Sequence, residues 1–237
     1  MVPVITVSGP TGGGAREVGQ LVASKMGLDY VDREILAQAA ETLGVSVDAV
    51  EHHDERTSSF GERLSLLLRN FLERSATAGA TDPMMGTSGL EMLLARTYSE
   101  AAALPESSTL EPDEGTYIRA ITAVIRGLAE RGSIVILGRG SQVILRDRPD
   151  TLHVLVTGPL PRRIEHVAQR DGVSPEEAAK RVNENDRARH AFHKKFFKVE
   201  VDDPCLYDLV VQTRRLSHDE TAELVAAAAR QLGGVRS

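Results

Sequence analysis

The sequence has no tryptophan, a single cysteine and few aromatic residues. The lone thiol, Cys205, cannot form a disulfide within the chain, so packing rather than cross-linking must hold the fold. No apolar stretch approaches the roughly 20 residues that cross a bilayer. The amino terminus also lacks a basic leader followed by an apolar segment. These absences predict a cytoplasmic protein without a membrane segment.

An excess of positive charge is also missing. With 28 basic and 34 acidic residues, the formal net charge is −6, which disfavours broad attraction to nucleic acid or to anionic lipid. The chain has 237 residues, of which 41% are hydrophobic, and this is enough to bury a substantial core. We therefore expect one elaborated domain that binds neither nucleic acid nor membrane.

Apolar runs alternate with helical patterns along most of the chain. The runs at 4–9, 132–138, 151–158 and 207–213 are continuously apolar, as strands of a parallel sheet are when both faces are covered. Apolar residues recur at helical spacing within 15–26 and 117–132. The alternation predicts an α/β fold in which helices cover a parallel sheet.

Residues 34 to 116 break this alternation and predict a mostly helical insertion. Two stretches rich in Gly, Ser, Thr and Pro, at 75–89 and 101–115, predict mobile loops with no assignable role. A leucine stripe on helical spacing fits either a core or the face of a homodimer. It consists of Leu64, Leu67, Leu68, Phe71 and Leu72.

The stretch "ITVSGPTGGGAREVG" at 5–19 resembles a phosphate-binding loop, and two versions of such a loop compete. A dinucleotide loop would use Gly12 and Gly14, with Asp32 on the ribose, but Glu17 replaces its third glycine. A Walker-type loop would have lysine and then serine or threonine where Ala15 and Arg16 stand. A tight turn without any ligand is a third interpretation.

The backbone part of a phosphate cradle survives in either case. The glycines let successive N–H groups turn inward, and the helix that follows favours an anion at its amino terminus. Arg16, in the first helical turn, would restore the positive charge that the missing lysine removes. The loop is therefore expected to favour an anion, with Arg16 as its candidate cationic contact.

Several ordered motifs together resemble the cytidylate kinase-like family of nucleoside monophosphate kinases. They are the glycine loop with "YVDREI", then "IVILGRGSQVI", "PLPRRIEHVAQRDG" and "NDRARHAF". The resemblance implies a three-layer P-loop NTPase-type fold with a parallel β-sheet. Its core would comprise 1–33, 117–160 and 201–237, with a helical insertion for the nucleoside monophosphate at 34–116 and a helical lid at 161–200.

The same resemblance implies roles for individual residues. It assigns ATP phosphates to Gly12, Gly13, Gly14, Ala15, Arg16 and Glu17. It assigns the acceptor to Asp32, Arg33 and Arg139. Transfer itself would be assisted by Arg16, Arg139, Arg163, Arg170, Asp186 and Arg189. No side chain is assigned to a metal, so Mg²⁺ would be held mostly by phosphates and water.

The implied activity is transfer of the γ-phosphoryl group of ATP to a nucleoside monophosphate or a similar small phosphorylated acceptor. Four positions depart from the pattern, and Ala15 and Arg16 are two of them. In the others, Leu137 replaces an acid and Gly140 replaces a polar residue beside the acceptor base. Two alternatives stay open: a degenerate kinase homologue that senses or scaffolds nucleotide, and, more distantly, a dinucleotide-dependent oxidoreductase.

Overall fold

A computed structural model describes residues 3–37, 92–106 and 114–234 of the chain. The strands are β1 Val4–Ser8, β2 Asp29–Val31, β3 Ile134–Leu137, β4 Thr151–Thr157 and β5 Leu209–Gln212. The helices are α1 Ala15–Met26, α2 Tyr98–Ala102, α3 Glu114–Arg131, α4 Ser141–Ile144, α5 Leu160–Asp171, α6 Pro175–Phe197 and α7 His218–Gly234. Residues 33–37 and 92–95 are also helical, and Pro204–Leu206 forms a 3-10 turn.

The described strands form one parallel sheet in the order β2-β3-β1-β4-β5. The central strand β1 pairs with β3 on one side, where Val4 lies opposite Ile134, and with β4 on the other, where Val4 lies opposite Thr151. All four strands predicted from apolar runs are present. The chain leaves β1 and β3 in opposite directions, which opens a crevice between their carboxyl ends.

Helices cover both faces of this sheet, because alternate residues of each strand point to opposite sides. On one face, Val4 and Ile136 pack against α3 in a core that also contains Phe192 of α6. On the other face, Ile5 and Val7 pack against α1 and α7. The fold is therefore a three-layer α/β architecture, as the sequence predicts.

Helix α1 confirms the predicted helix after the glycine loop, whereas β2 was not predicted. Val18 and Val22 bury the inner face of α1, and Gly27 ends the helix in the left-handed conformation with φ of 65°. Strand β2 has only three residues, Asp29–Val31, and pairs with β3 alone. A run this short shows no periodicity, so sequence pattern does not reveal it.

Helices α5 and α6 form a hairpin over the segment predicted to be a lid. Gly172 ends α5, and the Ser174 hydroxyl accepts the Glu177 N–H to begin α6. The two helices share a small core formed by Val167, Ala178 and Val182. Helix α6 is long but highly charged, and no helix in the described ranges has the length and apolarity to span a membrane. Closure of this hairpin stays a prediction.

Much of the predicted insertion lies outside the described residues. This holds for 38–91, which contain the leucine stripe and the loop at 75–89, and for 107–113. Within the insertion, residues 34–37, 92–95 and α2 are helical, and a reciprocal cap between Thr97 and Glu100 holds the first turn of α2. The boundaries expected for the loop at 101–115 are too wide, because Ala101 and Ala102 end α2 and α3 already begins at Glu114.

Candidate functional site

The glycine loop connects β1 to α1 at the carboxyl edge of the sheet. The Gly13 N–H donates to the Pro10 carbonyl over 2.9 Å, and Gly12 and Gly14 adopt φ of 76° and 91°. A Cβ at Gly12 would lie 2.5 Å from the Arg163 carbonyl oxygen, so the loop and α5 approach too closely for a side chain. Gly14 starts α1 without any side-chain cap, which leaves helix N–H groups for an anion.

The two altered positions of this loop have different surroundings. Ala15 is buried against the sheet core. Arg16 is 43% exposed at its side chain, and its guanidinium donates to Glu34 over 2.5 Å and lies 3.4 Å from Asp32. The hydrogen bond from Arg16 lowers the pKa of Glu34 below its ordinary value. The charge of Arg16 is therefore shared by two acids beside the loop, and its contact with ATP stays a prediction.

Asp32 and Arg33, predicted to contact the acceptor, lie directly after β2. The Asp32 carboxylate accepts the N–H groups of Glu34 and Ile35, each over 3.0 Å, and so caps the helical turn at 33–37. Its other oxygen accepts the Tyr30 hydroxyl over 3.3 Å. Arg33 donates to the Ala95 carbonyl over 3.3 Å. Asp32 thereby fixes the turn between β2 and the helical residues 33–37.

Arg139 follows β3 and is only 3% exposed. Its guanidinium donates to the Tyr117 hydroxyl over 2.9 Å and to the Leu94 carbonyl over 2.6 Å. Both partners are neutral, and no carboxylate of the described residues lies within ion-pair distance of this group. Burial raises the pKa of Tyr117, which keeps that partner uncharged. Among the described residues, Arg139 therefore has no acidic partner for its buried positive charge.

Gly140, the departure next to Arg139, has a steric explanation. It adopts φ of 73°, and a Cβ at this position would overlap the ring of Phe197 at the end of α6. The space that a polar side chain would fill is occupied by Phe197. The other departure, Leu137, is the last residue of β3 and brings no charge to the site.

Arg163 and Asp186 connect the hairpin to the glycine loop. Arg163 donates to Asp186 over 2.6 Å and to the Thr11 carbonyl over 3.0 Å, while Asp186 accepts the Thr11 N–H over 2.9 Å. The side chains of the pair are only 12% and 19% exposed. The Arg163 Nε is buried without a partner among the described residues. Together these contacts hold the α5–α6 hairpin against the glycine loop.

Arg189 forms a second connection of the same kind. It donates to Asp202 over 2.7 Å and to the Ser8 hydroxyl at the end of β1 over 3.1 Å. Burial raises the pKa of Asp202, but hydrogen bonds from Arg189 and His190 outweigh this, so the pKa lies below its ordinary value. Arg189 is buried, and its Nε also lacks a partner in the described part of the chain.

The two remaining predicted residues, Arg170 and Glu17, lie at the edge of the site and are partly exposed. Arg170 is nearly half exposed and pairs with its neighbour Asp171 over 2.8 Å. Glu17 lies 3.4 Å from His166 of α5, whose other ring nitrogen is 3.2 Å from the Gly12 carbonyl oxygen. Arg170 and Glu17 both line the same pocket.

One pocket of about 410 Å³ collects most of these groups, a size typical of small-ligand sites. Of the residues proposed from sequence, Arg163 and Asp186 border its glycine loop without lining it. The lining includes the glycine loop on one wall and Asp32, Arg33, Arg139, Thr97 and Tyr98 on the other, with Arg170 and Arg189 above. The crevice between β1 and β3 is thus bordered by both predicted halves of the site.

The described residues do not fit a metal site built from side chains. No three His, Cys, Asp or Glu residues of the described ranges come together in a way that would hold an ion. Asp32, the best-placed carboxylate, already accepts two backbone N–H groups and lies beside the Arg16 cation. We therefore derive no step through a protein-bound metal.

Sequence reasoning missed the partners of the predicted arginines. Tyr98 and Tyr117 hold Arg139 but come from distant helices, where tyrosines resemble ordinary core residues. Asp202, which holds Arg189, lies in a loop without a motif. His166 and His218, whose ring centroids are 5.3 Å apart, flank the glycine loop. Only the position of His166 within the lid segment offered any signal.

Fold and site together define an α/β protein in which a glycine-rich loop after β1 contacts an arginine-rich helical hairpin. The profile of the cytidylate kinase-like family matches residues 4–215, so the chain belongs to this family. Its strand order differs from the 3-2-1-4-5-6 order of dinucleotide-binding folds, which disfavours the oxidoreductase alternative.

Individual relatives agree with this assignment. A cytidylate kinase of Methanopyrus kandleri is 34% identical over 111 residues, which cover 44% of this chain and 58% of that protein. A cytidylate kinase of Staphylothermus marinus is 23% identical over 94% of this chain and 93% of its own length. A crystal structure of an uncharacterized protein from Eubacterium ventriosum superposes with a TM-score of 0.61 at 17% identity, covering 98% of this chain and 99% of that one. This last likeness concerns the fold.

Proposed function

We propose that the protein is an ATP-dependent nucleotide kinase that transfers the γ-phosphoryl group of ATP to a nucleoside monophosphate, with cytidylate as the first acceptor to test. Membership of the cytidylate kinase-like family and the names of its relatives support this choice. The observation that carries the proposal is Arg139, a buried cation in the pocket without an acidic partner among the described residues.

A buried unpaired charge is unfavourable by several kcal/mol, and an anion that enters the pocket removes that penalty. Arg139 lies at the carboxyl end of β3, across the crevice from the glycine loop at the end of β1. Two anionic groups can therefore approach each other from opposite walls. An acceptor phosphate at Arg139 and a donor phosphate at the glycine loop is the pairing that phosphoryl transfer needs.

Positive charge around the transferring group would come from the arginines of the site. Phosphoryl transfer spreads negative charge over the equatorial oxygens, and fixed cations stabilise that charge. In this proposal Arg16, Arg163, Arg170 and Arg189 serve the donor side, and Asp186 orients Arg163. Mg²⁺, held by ATP phosphates and water, would supply further charge neutralisation. A cytoplasmic location and a homodimer remain predictions.

The test is a transfer assay with purified protein, Mg²⁺, ATP and a panel of nucleoside monophosphates, pyrimidines first. Formation of the nucleoside diphosphate should be detected directly, because ADP alone can also come from hydrolysis. An Arg139→Ala variant purified in the same way controls for contaminating kinases, since it should lose most of the activity. Calorimetry should report ATP binding in parallel, because the chain has no tryptophan for fluorescence.

Two blank panels, one of nucleoside monophosphates and one of other phosphorylated metabolites, would contradict the proposal if ATP still binds. The protein would then be a nucleotide sensor that retains the family fold. If the protein neither bound ATP nor transferred a phosphoryl group, the glycine loop would have no role in nucleotide binding.

A further inference from the structure

The turn that carries Arg139 has a backbone conformation that side chains rarely adopt. Gly138, Arg139 and Gly140 have φ of 73°, 60° and 73°, so three successive residues are left-handed. Glycine tolerates this region freely, but Arg139 does not, and such a residue persists only where its surroundings hold it. The position of the guanidinium therefore depends on whatever fixes this turn.

The Tyr98 hydroxyl fixes the middle of the turn. Its oxygen accepts the backbone N–H of Arg139 over 3.2 Å. A Cβ at Gly138 would lie 2.6 Å from the same oxygen, so the turn and the hydroxyl are in close contact. Tyr98 is itself held from behind, because its ring packs on Phe192 of α6 with ring centroids 4.9 Å apart.

The same hydroxyl also has a hydrogen to donate. A tyrosine O–H is one donor and an acceptor, and here only the accepting role is occupied by a described residue. Tyr98 lines the pocket beside Arg139, whereas Tyr117, the other tyrosine that holds this arginine, does not line it. No described residue accepts the hydrogen of the Tyr98 hydroxyl, so Tyr98 can offer a donor to a ligand in the pocket that Arg139 also lines.

We propose that Tyr98 is a second residue of the acceptor subsite: its oxygen holds the strained turn that presents Arg139, and its hydrogen donates to an anionic oxygen of the acceptor phosphate. This inference rests on the proposed function, since it takes the acceptor to be a phosphate monoester. Neither role follows from the sequence, in which Tyr98 precedes Arg139 by 41 residues.

The test compares Tyr98→Phe with Tyr207→Phe. The first substitution removes the hydroxyl and keeps the ring contacts. The second removes a hydroxyl that donates to the Val201 carbonyl over 2.7 Å, accepts from Gln142 over 3.4 Å and lies beside Ser8, with no hydrogen bond to Arg139. Calorimetry with CMP and, separately, ATP should show CMP binding weakened about tenfold in Tyr98→Phe, the size expected for one lost charge-assisted hydrogen bond. ATP affinity should be unchanged in Tyr98→Phe, and Tyr207→Phe should match the wild type in its affinity for CMP.

Hydrogen exchange without ligand tests the positioning role separately. In Tyr98→Phe the Arg139 N–H loses its acceptor, so exchange in a peptide covering 137–142 should be faster than in wild type and in Tyr207→Phe. Unchanged exchange, or wild-type CMP affinity in Tyr98→Phe while Arg139→Lys weakens CMP, would overturn the inference. If wild type bound no nucleoside monophosphate, the proposed function and the donor role of Tyr98 would both fail, and exchange would still decide the positioning role.

Discussion

Arg139 and Arg163 are both largely buried arginines at one crevice, but they are held in opposite ways. Arg139 is held by neutral oxygens of Tyr117 and Leu94. Arg163 is held by the carboxylate of Asp186, as Arg189 is by Asp202. Neutral partners orient a guanidinium and leave its charge for a ligand, whereas carboxylates orient it and neutralise it. Under the proposed function, the Arg139 guanidinium would therefore be available to an acceptor phosphate, whereas Arg163 and Arg189 would first share their charge with the carboxylates that hold them.

The difference implies that an acceptor phosphate and a donor phosphate would meet different competition when they bind. An acceptor phosphate could pair with Arg139 without breaking an ion pair of any residue that the structure describes. A donor phosphate must compete with Asp186 for the Thr11 N–H and for Arg163, or share them. Movement of the α5–α6 hairpin would relieve that competition, which fits the gating role that lids have in kinases. Four experiments test how the two sides of the crevice differ.

The largest effect is expected for Arg139→Ala. Loss of the free charge should lower kcat/KM by roughly a hundredfold or more, with CMP affinity reduced and ATP affinity nearly unchanged. Arg126→Ala, on the exposed face of α3, is the matched control and should behave as wild type. Steady-state kinetics and calorimetry measure the effect. Equal loss of ATP and CMP affinity would show that the two walls are not distinct.

A pH effect on stability should follow from His193, which packs against Tyr98 on the acceptor side. Burial lowers the pKa of His193 to about 4, while Arg189 contributes a smaller effect of its positive charge in the same direction. The unfolded chain takes up a proton near pH 6.5 and the folded protein does not, so stability is full above that pH and falls below it.

Between pH 7.5 and 5 we expect the free energy of unfolding to fall by about 2 kcal/mol from His193 alone. Burial also lowers the pKa of His153, which adds to the loss. Urea unfolding at both pH values measures the change. His193→Gln, which keeps a donor for the Arg189 carbonyl, should flatten the pH dependence. An equal slope in this variant would assign the effect to other groups.

A double-mutant cycle on Arg163 and Asp186 tests whether the ion pair between them stabilises the contact of the hairpin with the glycine loop. The pair is mostly buried, so we expect a coupling energy of about 1 to 2 kcal/mol in urea unfolding. The exposed pair Arg162 and Glu165, 3.7 Å apart on the same helix, should couple by less than about 0.5 kcal/mol. Similar coupling energies in the two cycles would mean that burial does not strengthen the ion pair of Arg163 and Asp186.

The smallest effects are expected at Arg16. Arg16→Ala should weaken ATP about tenfold by removing one charge-assisted contact. Glu34→Gln should act in the opposite direction, with ATP about threefold tighter, because the guanidinium would be shared with one acid fewer. Calorimetry at low and high salt measures both. An unchanged dissociation constant for Arg16→Ala would exclude Arg16 from the nucleotide site.

The fold was largely predictable because its strong signals are local. Buried parallel strands are continuously apolar, and α1 follows its glycine loop with regular apolar spacing, so four strands and this helix were predicted. Strand β2 was missed because three residues have no period. The start of α3 was placed three residues late because Glu114, Gly115 and Thr116 lack apolar character.

The site was only partly predictable because its geometry is non-local. Arg139 was recognisable from two flanking glycines after an apolar run, a pattern that places a charge where a strand ends. The partners that decide what its charge can do, Tyr98 and Tyr117, are separated from it by 41 and 22 residues. Sequence therefore indicated which arginines gather at the crevice, whereas their pairing required the structure.

The contact between Gly140 and Phe197 links two positions that are far apart in the chain. Since a side chain at residue 140 and the Phe197 ring cannot occupy the same space, each residue limits what evolution can place at the other. Family members with serine or a larger residue at the position of Gly140 should have a small residue at that of Phe197. These two sites are expected to change together, and introducing the polar residue here would require trimming Phe197 first.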